Sequence, residues 1–197
     1  MKSKTLISVI SGILLVAMLL ILSSLEASAM KIAGVDVPQA AFVEKKTLVL
    51  NGAGIRKKLF IKVYVGSLYL TQKQKTVDKI MTDPGAKSIV MNFLYKEVST
   101  QKLVDGWNKG FIHNSTAKEI RALKDRINKF NSLFTTVYKG DEIRLDYLPG
   151  EGTRVSINGV LKGFVSGEDF NQAILKIWLG SKPADANLKE AMLGNAY

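Results

Sequence analysis

Arg56 is the residue of this chain best suited to hold a ligand. It stands in the segment Asn51 to Leu70, NGAGIRKKLFIKVYVGSLYL, where Gly52 and Gly54 are expected to take positive φ and turn the chain tightly before a long apolar strand. A guanidinium fixed at the start of such a strand presents a planar fork of donors, which can receive a carboxylate in two parallel hydrogen bonds. The same group can instead tie a glycine loop by bonding its carbonyls, and the residues alone leave both roles open. Other chemistry is limited by what the chain lacks. It has no cysteine and a single histidine, His113, which excludes thiolate metal sites, disulfides and histidine clusters. His113 reads either as an axial haem ligand or as a surface or capping residue near a helix end. Asp141, Glu142 and Asp146 alternate outward on a strand and read as a solvated edge rather than a paired acid and base. No catalytic residue, metal site or cofactor is assigned on these grounds.

The strand from Leu59 to Leu70 sets Leu59, Ile61, Val63 and Val65 against Phe60, Lys62, Tyr64 and Leu68, so both of its faces are largely apolar. One face suits a core and the other a partly apolar cleft with Arg56 at its rim. Upstream, Ile32 to Ala41 carries the turn residues Gly34, Asp36 and Pro38, and Phe42 to Leu50 reads as the first full strand. It is expected to pair with the longer strand across the glycine turn. Thr76 to Met81 reads as a short helix stopped by Asp83-Pro84-Gly85, and Ser88 to Leu94 as another strand. Ser99 or Thr100 caps a helix in which Leu103, Trp107 and Phe111 recur every fourth position, with Asp105 and Lys109 paired outside. Thr116 and Glu119 form a capping box for a second helix with the buried stripe Ile120, Leu123, Ile127 and Phe130. Strands return from Val137 to Val165, turning at Asn158-Gly159. Helices from Gly167 to Leu179 and from Asp185 to Leu193 close the chain. Trp107 and Trp178, at helical spacing, read as core. Strands, helices, strands and helices in one domain predict an α+β architecture, a mostly antiparallel sheet covered by helices on one face.

The chain of 197 residues has a formal charge of +11. Lys2 and Lys4 precede an apolar run from Leu6 to Leu22, and Ala27-Ser28-Ala29 matches the small-x-small pattern of signal peptidase. Residues 1–29 therefore read as an export signal and residues 30–197 as the folded domain, with the periplasm as the expected location. An uncleaved membrane anchor over residues 6–22 is the alternative, and Glu26 with the small residues behind it favours cleavage. Setting aside Lys2, Lys4 and Glu26 leaves +10. An exported basic protein meets an anionic membrane surface, envelope polysaccharide or an acidic small ligand rather than nucleic acid. Scattered lysines such as Lys73, Lys118 and Lys129 serve solubility equally well.

The segments LNGAGIRKKLFIKVYVGSLYL and VSGEDFNQAILKIWLGSKPADANLKEAMLG together resemble the chalcone isomerase-like family, specifically a bacterial exported branch, over residues 31–194. The resemblance implies an open-faced β-sandwich: a large antiparallel sheet, helices layered on one face, and a ligand cleft between them. Some members close a flavanone ring with an arginine, a threonine, a tyrosine and an asparagine, and others bind fatty acids. Arg56 matches the arginine, Tyr64 falls at the threonine, Ser99 at the tyrosine, and Gly106, beside Trp107, at the asparagine. Arg56, Tyr64, Ser99 and Trp107 are thus the implied ligand-binding set. Ring closure needs donors within about 3 Å of a developing enolate oxygen, which serine and glycine do not supply in place of a phenol and an amide. The implied function is a non-catalytic carrier of an amphipathic carboxylate such as a fatty acid. An isomerase acting on an unknown enone-like substrate is the alternative, and haem binding a third reading. One geometric condition attaches to Tyr64. A straight strand would separate it from Arg56 by roughly 26 Å. Only a fold-back in a short stretch brings both to one ligand, so Tyr64 reads either as a ligand group or as a packing residue with its hydroxyl at the cleft wall.

Overall fold

The computed structural model of the protein describes residues 29–195, so all of the expected export signal except Ala29 lies outside the described residues. The chain opens with a hairpin, β1 (Ala29–Ile32) and β2 (Val35–Pro38), where the sequence suggested only turns. A second hairpin follows, β3 (Ala40–Val43) and β4 (Lys46–Lys58), so the strand expected from Phe42 to Leu50 is in fact broken at Glu44, which takes φ +52°. Next come β5 (Ile61–Leu70), the short helix α1 (Val77–Thr82), β6 (Lys87–Phe93) and β7 (Glu97–Val98). The helices α2 (Thr100–Asn114) and α3 (Ala117–Asn131) occupy the middle of the chain, capped by Ser99 and by the Thr116–Glu119 box as their sequences require. Asp105 is bonded by Gln101 at 2.8 Å rather than by the expected Lys109. A short strand β8 (Val137–Tyr138) pairs with β7. The meander β9 (Glu142–Leu148), β10 (Gly152–Ile157) and β11 (Val160–Val165) leads to α4 (Glu168–Leu179) and α5 (Ala186–Met192).

Seven strands form one antiparallel sheet in the order β11-β10-β9-β6-β5-β4-β3. Its helix-covered face holds the main core, where Leu68, Met91 and Ile143 of the sheet meet Trp107, Phe111, Phe130, Phe170 and Trp178 of the helices. The opposite face is partly covered by the β1–β2 hairpin, whose Val37 packs with Val65, Tyr69, Val90 and Leu148. The Tyr69 hydroxyl donates to the Pro38 carbonyl at 3.0 Å, and burial pushes its pKa up to about 12, so it holds that hairpin as a neutral phenol. β9 lies between β6 and β10, not at an edge, which corrects the reading of Asp141, Glu142 and Asp146 as an edge cluster. Asp146 is half-buried on the face away from the helices, and burial raises its pKa.

The glycine run is also not a turn. β4 continues through Gly52-Ala53-Gly54 without reversing, with a shift of register between Leu50 and Gly52, and the hairpin to β5 reverses at Leu59-Phe60, with Leu59 at φ +56°. The glycines have a packing role instead, because a Cβ on Gly52 would stand 1.9 Å from the Ala191 carbonyl oxygen, and one on Gly66 2.9 Å from the Met192 methyl carbon. They clear the sheet surface for α5. Asn51 secures the same contact by donating to the Met192 carbonyl at 2.7 Å.

Candidate functional site

The fold-back that the Arg56–Tyr64 pairing needs is the β4–β5 hairpin itself, in which the two residues are direct cross-strand partners. The guanidinium carbon of Arg56 lies 5.6 Å from the centre of the Tyr64 ring, a cation–π contact. Both residues face a cleft between this end of the sheet and α2. Val63 and Phe93 complete its sheet wall and Val98 its edge; α2 contributes Lys102, Leu103, Gly106 and Trp107; Ile177 of α4 and Ala184 close the back. The four-residue step from Leu103 to Trp107 puts both on the helix face turned to the sheet.

The polar groups of this apolar cleft are donors. Tyr64 is buried against Phe93, their ring centres 5.5 Å apart, and its oxygen accepts the Trp178 indole N–H at 2.8 Å. Burial raises the Tyr64 pKa, outweighing the Arg56 charge that lowers it, so the phenol keeps its proton and can donate it. The indole N–H of Trp107 is buried with no hydrogen-bond partner among the described residues, and the same holds for Nε of Arg56. Asp185, the carboxylate whose charge reaches Tyr64, is otherwise engaged: it caps α5 by accepting from Asn187 N and Leu188 N and takes the Lys57 N–H at 2.8 Å. An unpaired buried donor is costly unless something accepts from it. Three donors from Arg56, Tyr64 and Trp107, beside the Lys102 ammonium, suit an anionic oxygen ligand. The cleft volume is about 40 Å³. That admits a carboxylate head but falls well below the roughly 300–1,000 Å³ of usual small-molecule sites.

The structure therefore brings together Arg56, Tyr64 and Trp107 and leaves Ser99 out. Ser99 sits at the N-cap of α2, its hydroxyl oxygen accepting from Lys102 N at 3.4 Å, and it does not line the cleft. His113 is exposed in the last turn of α2 and lines no part of the cleft either, so nothing there supports the haem reading. Gly106 does line the cleft, and a Cβ there would meet nothing within 4 Å. The residue that sequence reasoning assigned only to the core is Trp178, whose N–H fixes the Tyr64 hydroxyl. The available signal was that a buried tyrosine and a buried tryptophan each need a partner for a polar tip.

The fold has known counterparts. Comparison with curated protein sequences gave no match. Among solved structures, a fatty-acid binding protein of Arabidopsis thaliana superposes with a TM-score of 0.64 at 18% identity, covering 86% of this chain and 97% of its own. The likeness at that identity is one of fold: a curled antiparallel sheet with helices on one face. The family model described as chalcone isomerase-like matches residues 29–194, from the first described strand to the end of the last helix. On that match, which spans all the elements that build the sheet and the cleft, the chain belongs to the chalcone isomerase-like family.

Proposed function

We propose that the protein is an exported, non-catalytic carrier or sensor of an amphipathic carboxylate, with a long-chain fatty acid as the prototype ligand. The observation that carries this reading is the donor set of the cleft. Arg56, Tyr64 and Trp107 line an apolar cleft, the Trp107 N–H and Arg56 Nε have no hydrogen-bond partner among the described residues, and the Tyr64 oxygen accepts from Trp178. A carboxylate satisfies all three donors at once, and charge assistance makes the Arg56 contact the strongest of them. The fold shared with a fatty-acid binding protein adds support. The hydrocarbon tail does not fit the cleft as it stands, so binding requires the apolar wall that Leu103 of α2, Val63 and Val98 line to open. The chemistry of ring closure is not favoured, because the cleft lacks an amide at Gly106 and Ser99 stands outside it. Export rests on the pattern of residues 1–29, and a periplasmic carrier that begins at Met30 is the expected form.

Native mass spectrometry of the protein purified from its own host, followed by solvent extraction, tests the proposal. The expected result is a released long-chain acid, with Arg56→Ala protein purifying largely free of it. A protein that carries no acid and takes up none when acid is added would refute it.

A further inference from the structure

The β4–β5 hairpin that carries Arg56 ends in residues whose presence the fold does not explain. Leu59 is 86% exposed, Phe60 99% and Ile61 45%. Single exposed apolar residues are ordinary on protein surfaces, but three large ones in succession at a projecting tip are not. Turn formation does not call for them either. Leu59 holds φ +56°, a conformation that favours glycine or asparagine; Asn158-Gly159 meets that preference where β10 turns into β11, while Ala33 and Glu44 hold a similar φ at the β1–β2 and β3–β4 turns. What sets this hairpin apart is that its turn is a leucine and a phenylalanine, where the β1–β2 and β3–β4 turns are Ala33-Gly34 and Glu44-Lys45.

The charges behind the tip are arranged in depth. Lys58 pairs across the hairpin with Ile61, and Lys57 with Lys62, so three lysines lie one or two strand residues behind the apolar tip, roughly 3–7 Å back. All three are exposed, and none forms an ion pair among the described residues. Apolar side chains outermost with a collar of ammonium groups just behind them match the layering of a lipid surface, hydrocarbon beneath anionic head groups. From these features we propose that the Leu59-Phe60-Ile61 tip, with Lys57, Lys58 and Lys62, is a docking element for a bilayer that contains anionic phospholipid. Arg56 lies three residues behind Leu59, so docking sets the mouth of the cleft roughly 10 Å from the tip, near head-group depth. The docking surface does not depend on what the cleft holds.

The chain has no cysteine, so a single introduced one labels uniquely. An environment-sensitive fluorophore on Leu59→Cys, in the protein that begins at Met30, reads insertion at the tip. The same label on Ile112→Cys, an exposed apolar site on α2, serves as the control. With vesicles of equimolar phosphatidylcholine and phosphatidylglycerol, the label at 59 should shift to the blue and the label at 112 should not. Pure phosphatidylcholine should give little shift. Phe60→Ser should abolish the shift at 59, and replacing Lys57, Lys58 and Lys62 together by Gln should raise the lipid needed for half of it by roughly 100-fold. Equal responses at 59 and 112, or a shift at 59 unaffected by Phe60→Ser, would show that another segment carries the protein to lipid and would overturn the proposal. Quenching between labelled copies without lipid, lost in Phe60→Ser, would assign the tip to a second copy of the chain and overturn it as well.

Discussion

Replacing Arg56 by alanine should separate ligand affinity from fold stability. Among the described residues the guanidinium forms no ion pair and stacks on Tyr64 at 5.6 Å, so its loss should cost the fold only about 0.5–1 kcal/mol. For a bound carboxylate the same side chain is a charged donor of the cleft, with the Lys102 ammonium beside it, and a hydrogen bond to a charged group contributes about 1.5–3 kcal/mol. At about 1.4 kcal/mol per factor of ten, affinity for a long-chain acid should fall by roughly 10- to 150-fold. Binding should not vanish, because the Tyr64 hydroxyl and the Trp107 N–H remain. Arg56→Lys should recover part of the loss, since an ammonium keeps the charge but not the fork. Calorimetric titration of the three proteins with an acid and with the alcohol of the same length is the assay. The alcohol should bind wild type and Arg56→Ala about equally. Equal acid affinity in both proteins, with unchanged melting, would remove Arg56 from the site.

Tyr64→Phe keeps the ring in place but leaves the Trp178 N–H without its acceptor, so thermal unfolding should show a loss of about 1–3 kcal/mol, at about 2–4 °C per kcal/mol for a chain of this size. Two glycines of α2 should respond oppositely to alanine. Gly106→Ala, with open space around the new methyl, should stabilise by about 0.5–1 kcal/mol. Gly110→Ala, whose Cβ would stand 2.8 Å from the Ile177 side chain, should destabilise by about 1–2 kcal/mol, and denaturant titration of the pair checks both. Glu119 accepts from the Thr116 backbone and from Lys176, which lowers its pKa from 4.5 to about 2; a depressed carboxylate stabilises the fold above its unfolded pKa and loses that contribution as pH falls through the folded one. Melting curves of wild type and Glu119→Gln should therefore differ most above about pH 4.5 and converge toward about pH 2.

The helices were legible in the sequence because their signals are local. Ser99, Thr116 with Glu119, and Asp185 cap where their side chains reach the first free N–H groups, and the stripe of Leu103, Trp107 and Phe111 fixes which face of α2 is buried. The glycine segment misled because glycine has two uses. Gly52 and Gly66 are needed for the close approach of α5, a contact about 140 residues away from Gly52 that no local pattern announces. The true turn, Leu59-Phe60, carries none of the residues that usually mark one. That single difference decides the site. With the reversal at 59–60 rather than at 52–54, Arg56 and Tyr64 face each other instead of lying at opposite ends of one strand. Ser99 was implicated only through resemblance, and its position at the N-cap turns its hydroxyl to the helix backbone rather than to the cleft.

Whether a carboxylate is held by the donors of this cleft can be read directly from the two tryptophans of the chain. Their indole N–H groups give two proton–nitrogen NMR signals, assignable with Trp107→Phe. Trp178 already donates to Tyr64, whereas Trp107 has no acceptor among the described residues. Adding a long-chain fatty acid should move the Trp107 indole proton downfield as it bonds to the carboxylate, while the matching alcohol moves it far less. A Trp107 signal that stays in place at saturating acid would show that the carboxylate is not held by this cleft.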